Sequence, residues 1–537
     1  MNFQTVSEQQ TAGPSTGMPQ QPADSELSSQ TDRDAILRFF DESDSDTEFK
    51  GFTVEEIDEG RLRCELLCQN TNCGSDIDPN ELLDLLNADS DSDSDADDSA
   101  DTPNIWSNER TDVNIQAHDD QFSGPRHGVG FDGEPLDFFK LYFTDDFLDL
   151  LVGETNKYAR HRQEVTGRVD RHWYEMDRDE MSAYFGVIIL MRIHPLPEVP
   201  DYWSSDDRLQ VPGVAKVMPR NRFIKNSQYL HLSDFVSEPN RTDPNRDRLY
   251  KVRPIIDLVR KTFPEHFYPF KEISVDEAMC KFKGRSHMIQ YMPGKPVKWG
   301  FKIWSVACPR TGYTFDMSPY TGKKSTPEKG LGYQVVCDLT QQYFYFGHHI
   351  YYDNFFSSVQ IALDLYSKDT YICSTIRKNS KGLPGEIKNS VKMKQGDYIV
   401  RQSQKVVACT WYDKREVRML TTNCSPGGRD VTRGGKTFFT PFSVLQYNQY
   451  MGGVDLSDQL ASYYSISKKY MKYWKYLFFF FIQRMIVNSF ILYSIAHSPN
   501  PRRRYRQLDF RLDLSSQLIA GYCSRKKTWA TTTVTWC

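Results

Sequence analysis

The spacing of apolar residues changes near residue 271, and this change restricts the possible folds most. In residues 130–268 apolar residues recur every three or four positions, as in LDFFKLYF, DDFLDLLVGETNKYA and DRDEMSAYFGVIILMRIH, which predicts helices. After residue 271, apolar and polar residues alternate in KEISVDEAM and WGFKIWSVACPRTGYTFDMSPYTG, as they do in strands. FGHHIYYDNFF and TYICSTIRKN predict two more strands, with a helix at SSVQIALDLYSKD between them. Strands followed by a β–α–β passage predict a mixed α/β core.

A second alternating stretch interrupts this core. GDYIVRQSQKVVACTWYDKREVRMLTTN (396–423) has the pattern of a β meander, and helical spacing resumes at FSVLQYNQYMGGVDLSDQLASYYSI. We interpret the meander as an insertion into the α/β core.

The charge of the chain is strongly segregated. Residues 1–120 contain 30 Asp and Glu against 6 Lys and Arg, a net of −24, whereas the remainder contains 41 against 60, a net of +19. Runs such as NADSDSDSDADDSAD leave residues 1–125 with too little apolar surface to fold, so we predict a disordered arm. A basic body favours a polyanionic partner; the acidic arm either modulates that binding or only keeps the chain soluble.

Two further features bear on the compartment. MNFQTVSEQQ has neither the basic segment nor the apolar core of a signal peptide, and the eleven cysteines are scattered, which indicates a reducing, intracellular environment. The apolar segment at 476–496 contains Gln483, Arg484 and Asn488. Because a central arginine costs roughly 2.5–3.5 kcal/mol on membrane insertion, we predict a buried helix and no membrane partner.

Four aspartates are candidates for a metal site. Asp276 lies within a predicted strand, Asp353 ends another in YYDNFFSS, and Asp455 and Asp458 share one helix face in GGVDLSDQ. Carboxylate oxygens suit Mg²⁺ or Mn²⁺, and two such ions activate a water or a 3′-hydroxyl for phosphodiester chemistry. Each also has an ordinary interpretation: Asp276 as a turn acid, Asp353 as a helix N-cap and Asp455 as an acid in a first helical turn. Composition and spacing leave both interpretations open.

Four segments together resemble the piggyBac transposase family: ISVDEAMCKFKGRSHMIQYMPGKPVKWGFKIW, YYDNFFSS, TIRKN and YNQYMGGVDLSDQL. They occur in the family's order, with 77 residues from Asp276 to Asp353 and 102 from Asp353 to Asp455. The resemblance implies an α/β fold with an RNase H-like catalytic core, a β-rich insertion and flanking helical regions for DNA binding and dimerisation. The implied parts are the disordered acidic arm (1–125), a helical region (126–268), the first part of the core (269–380), the insertion (381–435), the last core helix (436–457) and a second helical region with a basic tail (458–537).

The resemblance also implies cut-and-paste DNA transposition. Asp276, Asp353 and Asp455 would be catalytic and hold Mg²⁺ or Mn²⁺, with Asp458 as a fourth acid. An activated water would nick one strand, the freed 3′-hydroxyl would form a hairpin on the flanking DNA, and after hairpin opening it would attack a TTAA target. The implied partners are double-stranded DNA (transposon ends and TTAA target) and a second copy in a homodimer, in the nucleus, with no small-molecule substrate.

Basic residues near the aspartates are candidates for phosphate contacts, and the alternative for each is solvated surface charge. They are Arg285, Lys295, Lys298, Lys302, Arg377 and Lys378. Trp299 and Trp304 are predicted to be core residues, whereas Trp474, after a basic segment, is a candidate for DNA contact.

The tail GYCSRKKTWATTTVTWC bears on which function the chain performs. The family usually ends in a cysteine-rich zinc domain that helps to read transposon ends, but only Cys523 and Cys537 occur here, without a Cys-x-x-Cys pair, so we expect no zinc site. PRRRYR and SRKK are candidates for nuclear import or phosphate contact. The aspartates favour an active transposase; the tail favours a transposon-derived nuclear DNA-binding protein without productive transposition.

Overall fold

A computed structural model describes residues 105–524, apart from 241, 285, 294, 296, 323–328, 390–391, 434, 467–469, 471 and 498–505. The candidate Arg285 lies outside the described residues, as do residues 1–104 of the predicted arm and nearly all of both basic segments of the tail.

The first part of the described chain is helical, as the apolar spacing predicted. Its helices are α1 (Pro135–Lys140), α2 (Asp145–Thr166), α3 (Arg178–Ile193), α4 (Pro212–Ala215), α5 (Arg220–Tyr229) and α6 (Arg253–His266). Thr144 and Asp177 cap α2 and α3, because each side chain accepts a hydrogen bond from a backbone N–H of the first turn. Most of α3 is buried and packs against the last helix of the described chain.

Residues 105–125 pair with later parts of the chain, which corrects the predicted boundary of the arm at residue 125. Ser107 pairs with Gln402 as an antiparallel bridge, and Val113 is buried. A two-residue strand, β1 (Gly124–Pro125), pairs with β2 (Phe267–Tyr268). Backbone pairing of this kind is decided by a partner far away in the sequence, so the local composition did not reveal it.

Within the described residues, one mixed sheet of nine strands forms the centre of the molecule. Its strands are β3 (Glu272–Lys281), β4 (Ile289–Tyr291), β5 (Trp299–Ala307), β6 (Thr314–Pro319), β7 (His349–Tyr352), β8 (Tyr371–Thr375), β9 (Tyr398–Ser403), β10 (Val406–Tyr412) and β11 (Glu416–Thr421). They run in the order β4-β5-β3-β7-β8-β11-β10-β9, and β6 pairs with the part of β5 beyond β4. The strands β3, β7 and β8 are parallel; the other pairs are antiparallel. Helices α7 (Leu331–Thr340) and α8 (Val359–Tyr366) make the crossovers that parallel strands require.

The predicted meander forms, but it extends the central sheet. Strand β11 pairs with β8 from Met419 opposite Thr375 to Thr421 opposite Cys373. The edge of β8 would otherwise present unpaired backbone groups, and β11 satisfies them. The predicted boundary at residue 381 therefore does not divide the sheet. A short helix, α9 (Gly385–Lys388), leads into the meander.

The predicted last core helix at 436–457 is replaced by a strand and two helices. After the hairpin of β12 (Gly428–Arg433) and β13 (Lys436–Pro441), α10 (Phe442–Tyr450) and α11 (Gly453–Ser462) follow with a break between them. Glycine disfavours a continuous helix, and the break falls at the Gly-Gly pair.

The apolar segment becomes α12 (Tyr473–Ala496), and α13 (Gln507–Ile519) follows it. By length and composition α12 is the one helix of the described chain that passes as a membrane span, but 78% of its most apolar window is buried inside the protein. Arg484 in its middle is only 3% exposed and donates a hydrogen bond to Ser457 Oγ. The helix is thus a core helix, as predicted.

Candidate active site

Strand register brings Asp276 and Asp353 together. Strand β7 lies parallel to β3 with Tyr351 opposite Ser274. Asp276 and Asp353 each lie two residues beyond this pair, so side-chain alternation puts them at one level on one face of the sheet. The negative charge of Asp353 accordingly contributes to raising the pKa of Asp276, after burial and the charge of Glu277.

Asp353 is not the cap of the helix that follows it. Its Oδ1 accepts a hydrogen bond of 2.9 Å from the backbone N–H of Phe355, which closes a turn directly after β7. The cap of α8 is Ser358, whose hydroxyl accepts from the backbone N–H of Ile361 at 3.2 Å. The N-cap interpretation of Asp353 is therefore wrong, and its second carboxylate oxygen is left to other interactions.

Helix α11 carries Asp455 in its first turn and lies directly on the sheet. Ser274 Oγ donates to the carbonyl oxygen of Met451, just before the helix. A Cβ atom on Gly453 would lie 2.9 Å from Ser274 Cβ and 3.0 Å from the backbone nitrogen of Pro309. Glycine at this position therefore permits the close approach that brings Asp455 toward β3.

One cationic side chain connects the carboxylates. Lys295 Nζ lies 3.7 Å from Asp276 Oδ2 and 3.4 Å from Glu277 Oε1. Burial alone would lower the pKa of Lys295, but the charges of Asp276 and Glu277 raise it above its ordinary value. Asp455 contributes in the same direction. Three carboxylates from β3 and α11 thus share the field of one ammonium group.

The site carries more negative charge than its cations offset. Burial raises the pKa of Asp276 well above its ordinary value, and the charge of Glu277 raises it further. Burial likewise raises the pKa of Asp353, again with a contribution from Glu277. Burial alone would raise the pKa of Glu277, but Lys295 and Lys302 hold it below its ordinary value. Such a cluster favours an additional cation.

The donor set suits a hard divalent cation, since its groups are carboxylate oxygens. In the described part of the chain, however, His, Cys, Asp and Glu side chains do not form a group of three already placed to hold a metal ion. The ammonium of Lys295 already lies among these carboxylates, so their positions stabilise a cation. The residues therefore fit Mg²⁺ or Mn²⁺ by chemistry and charge.

Asp458 lies one turn beyond Asp455, and its partner is on another helix. It forms an ion pair with Arg484 of α12, whose other donor contacts Ser457. Asp455, Asp458, Lys295 and Arg484 line one cavity of about 1100 Å³. Asp458 therefore borders the same space as the carboxylate cluster while neutralising a buried arginine.

The predicted phosphate contacts divide into two groups. Lys302 is buried, with its ammonium 4.1 Å from the ring centre of Trp304, and its charge acts on Glu277 and Asp353. Like Lys295, it balances the carboxylates. The exposed group comprises Lys298, Arg377 and Lys378.

Arg377 lies close to the carboxylate cluster. Its Nε donates to Asn354 Oδ1 at 3.3 Å, and its charge acts to lower the pKa of Asp353. An exposed guanidinium next to a buried carboxylate is available to a phosphate that approaches the cluster.

The tryptophan predictions have mixed outcomes. Trp304 is a core residue, as predicted, but Trp299 is 49% exposed, so the prediction of a core position for it is wrong. Trp474 is 2% exposed and buried among helices, which contradicts its candidacy for DNA contact.

Glu277 is a member of the cluster that the sequence analysis missed. Its position directly after Asp276 in SVDEAM was the available signal, but strand alternation argued that neighbours point to opposite faces. Both side chains reach Lys295.

Comparison with known proteins shows which proteins this chain resembles. The model of the transposase IS4 family matches residues 134–490, which are 357 of the 537 residues. PiggyBac transposable element-derived protein 2 of Homo sapiens is 28% identical over 384 residues, covering 67% of this chain and 62% of that protein. The chain thus matches less than two thirds of this relative's length. PiggyBac transposable element-derived protein 5 of Homo sapiens is 25% identical over 421 residues, covering 74% of this chain and 77% of that protein.

A solved structure is also similar. The cryo-EM structure of a piggyBac transposase synaptic complex with hairpin DNA matches with a TM-score of 0.68 at 26% sequence identity. The match covers 77% of this chain and 85% of that one.

Proposed function

Because the chain belongs to the piggyBac-type transposase IS4 family, we propose that it is a DNA transposase acting by phosphodiester hydrolysis and strand transfer. The observation that carries the proposal is the shared electrostatic environment of Asp276, Asp353 and Asp455. These three acids, far apart in sequence, lie in β3, directly after β7 and in α11.

The proposal includes an RNase H-like core. Its support is the topology of the first five core strands: β6, β5 and β3 are antiparallel neighbours, and β7 and β8 continue parallel to β3 across helical crossovers. In such a sheet, acids at the same level of adjacent parallel strands lie side by side, as Asp276 and Asp353 do by register.

Asp276, Asp353 and Asp455 would hold Mg²⁺ or Mn²⁺, and the roles of these residues stay predictions. The bound metal would supply an activated water or 3′-hydroxyl and stabilise the leaving oxygen. Lys295 opposes the burial that favours the protonated form of Asp276, because its ammonium stabilises the ionised carboxylate. Arg377 binds a phosphate beside Asp353, and Lys302 limits the repulsion between that phosphate and the acids.

The proposed substrates are transposon ends and a TTAA target, with a hairpin intermediate, a homodimeric enzyme and a nuclear location. The support for a hairpin is the similarity to a piggyBac transposase whose structure contains hairpin DNA. The basic balance of residues 121–537, net +19, supports a DNA partner.

An oligonucleotide cleavage assay tests the proposal. The full chain is incubated with a TTAA-flanked transposon end taken from the inverted repeats beside its own coding region, with Mn²⁺ or EDTA. We expect nicking at the TTAA boundary and a hairpin product, both lost in Asp276→Ala. Binding of this DNA without metal-dependent cleavage would refute the proposal in favour of a transposon-derived DNA-binding protein.

A further inference from the structure

Two aromatic side chains lie exposed and in contact at one edge of the central sheet. Strand β4 is the edge strand, and its Tyr291 is directly opposite Trp299 of β5. The ring centres are 4.6 Å apart, and the residues remain 41% and 49% exposed. Two exposed aromatic rings in contact with each other form a candidate contact surface for another molecule.

The sequence segment that contains the pair carries charge of one sign. Residues 281–300 contain five Lys or Arg and no Asp or Glu. Lys283 and Lys298 are exposed, and Lys298 directly precedes Trp299 in the sequence. Aromatic rings set in a basic surface are the combination that binds single-stranded nucleic acid, because lysines hold the phosphates and the rings stack on bases.

Strand alternation relates this surface to the carboxylates. Asp276 is directly opposite Ser305 on β5, and Trp299 lies six residues from Ser305 along the same strand. An even separation puts Trp299 on the face of the sheet that carries Asp276. At about 3.3 Å per residue the two lie roughly 20 Å apart along the strand. A DNA strand that enters the carboxylate cluster along this face therefore passes the aromatic pair.

We propose that Tyr291 and Trp299 form a stacking site for an unpaired base of the DNA, with its flanking phosphates on Lys283 and Lys298. The inference rests on the proposed function and adds to it a base-binding site roughly 20 Å along the strand from the level of Asp276. A base in an intact duplex is covered on both faces by its neighbours, whereas an unpaired base offers a face to an aromatic ring.

The test compares two DNA probes with the metal-free full chain. One is a fully paired duplex, and the other is the same duplex with a few unpaired bases at its centre, one of them the fluorescent base 2-aminopurine. We expect wild type to bind the second probe more tightly, by about tenfold given the usual strength of base–aromatic stacking, and to quench its fluorescence. Trp299→Ala should lose both the preference and the quenching, Trp299→Phe should retain part of each, and the affinity for paired duplex should stay unchanged.

Two control variants separate stacking from other effects. Phe131→Ala removes an aromatic residue that is 80% exposed elsewhere, and we expect it to behave as wild type. Lys283→Ala should weaken binding of both probes by a similar factor, since phosphate contacts do not distinguish them.

Three results would overturn the inference. The first is equal affinity of wild type for the two probes, and the second is an unchanged preference in Trp299→Ala. In the third, Trp299→Ala changes the oligomeric state and not the preference, so that the pair is a protein contact. If wild type binds the paired duplex, the proposed function stands whatever the outcome for the stacking site. If wild type binds neither probe, both the proposed function and the stacking site are contradicted.

Discussion

The ammonium nitrogen of Lys295 lies 3.7 Å from Oδ2 of Asp276, in the middle of a buried carboxylate cluster. A cation in this position opposes the burial and like-charge effects that raise the pKa of Asp276. If Asp276 holds a divalent metal, as proposed, the ammonium and the metal would compete for its carboxylate oxygens. This competition leads to the first prediction.

Lys295→Gln should bind Mn²⁺ severalfold more tightly than wild type in the absence of DNA, because a competing charge is removed. Calorimetric titration measures the affinity. Lys298→Gln, which removes an exposed lysine three residues away, is the control and should change it little. Equal affinities in wild type and Lys295→Gln would mean that Lys295 does not compete with the metal.

Asp353→Asn should weaken Mn²⁺ binding by at least about tenfold, since changes to residues that only support a metal ligand already cost 10–100-fold. Asp369→Asn is the matched control: Asp369 is exposed, lies on the loop before β8 and has a φ of 47°, which asparagine tolerates. Calorimetric titration of both variants with Mn²⁺ measures their affinities. Wild-type affinity in Asp353→Asn would contradict the convergence of the three aspartates.

Gly453→Ala should reduce DNA cleavage by about tenfold or more, because the added methyl group pushes α11 and Asp455 away from β3. Its Cβ would lie 2.9 Å from Ser274 Cβ, whereas a Cβ on Gly452 meets nothing within 4 Å. Single-turnover cleavage by Gly453→Ala and Gly452→Ala is the measurement. Similar rates for the two variants would show that the seating of α11 does not position Asp455.

Asp458→Asn should destabilise the protein by about 1–2 kcal/mol, since it leaves the buried Arg484 with a weaker partner. The loss of stability stays small because the side chain of Asp458 is itself 37% exposed, and water screens its charge. Cleavage should fall less than in Asp455→Asn. Denaturant unfolding of Asp458→Asn, Arg484→Met and the double variant measures the coupling; additive effects would refute the ion pair's contribution.

His349 should make the protein lose stability as the pH falls below about 6.5. Burial lowers the pKa of His349 to about 3 in the folded chain, so between these values only the unfolded chain takes up the proton, and acid favours unfolding. In His349→Gln the melting temperature should fall less between pH 7 and pH 5, about the range in which an unfolded histidine titrates. His172→Gln, which changes an exposed histidine, should keep the wild-type slope. An equal change of melting temperature with pH in wild type and His349→Gln would show that His349 does not cause the loss of stability in acid.

Most of the secondary structure could be predicted from the sequence because its signals are local. The alternation in KEISVDEAM and in the meander is the pattern of β3 and of β9, β10 and β11, and Ser358 caps α8 as the serine-led helix predicted. The four quoted motifs also identified the family. In each case the evidence lies within a few consecutive residues, where side-chain spacing and capping act.

The tertiary structure decided everything that depends on which distant segments meet. The register between β3 and β7 puts Asp353 beside Asp276. The close packing of Gly453 on Ser274 brings Asp455 toward them. Arg484, on another helix, is the ion-pair partner of Asp458. Pairing with β9 orders the chain at Ser107, and the position of β4 at the sheet edge leaves Trp299 exposed. A residue's own neighbours in sequence carry no record of such contacts, because burial and electrostatic environment arise from the packing of whole elements.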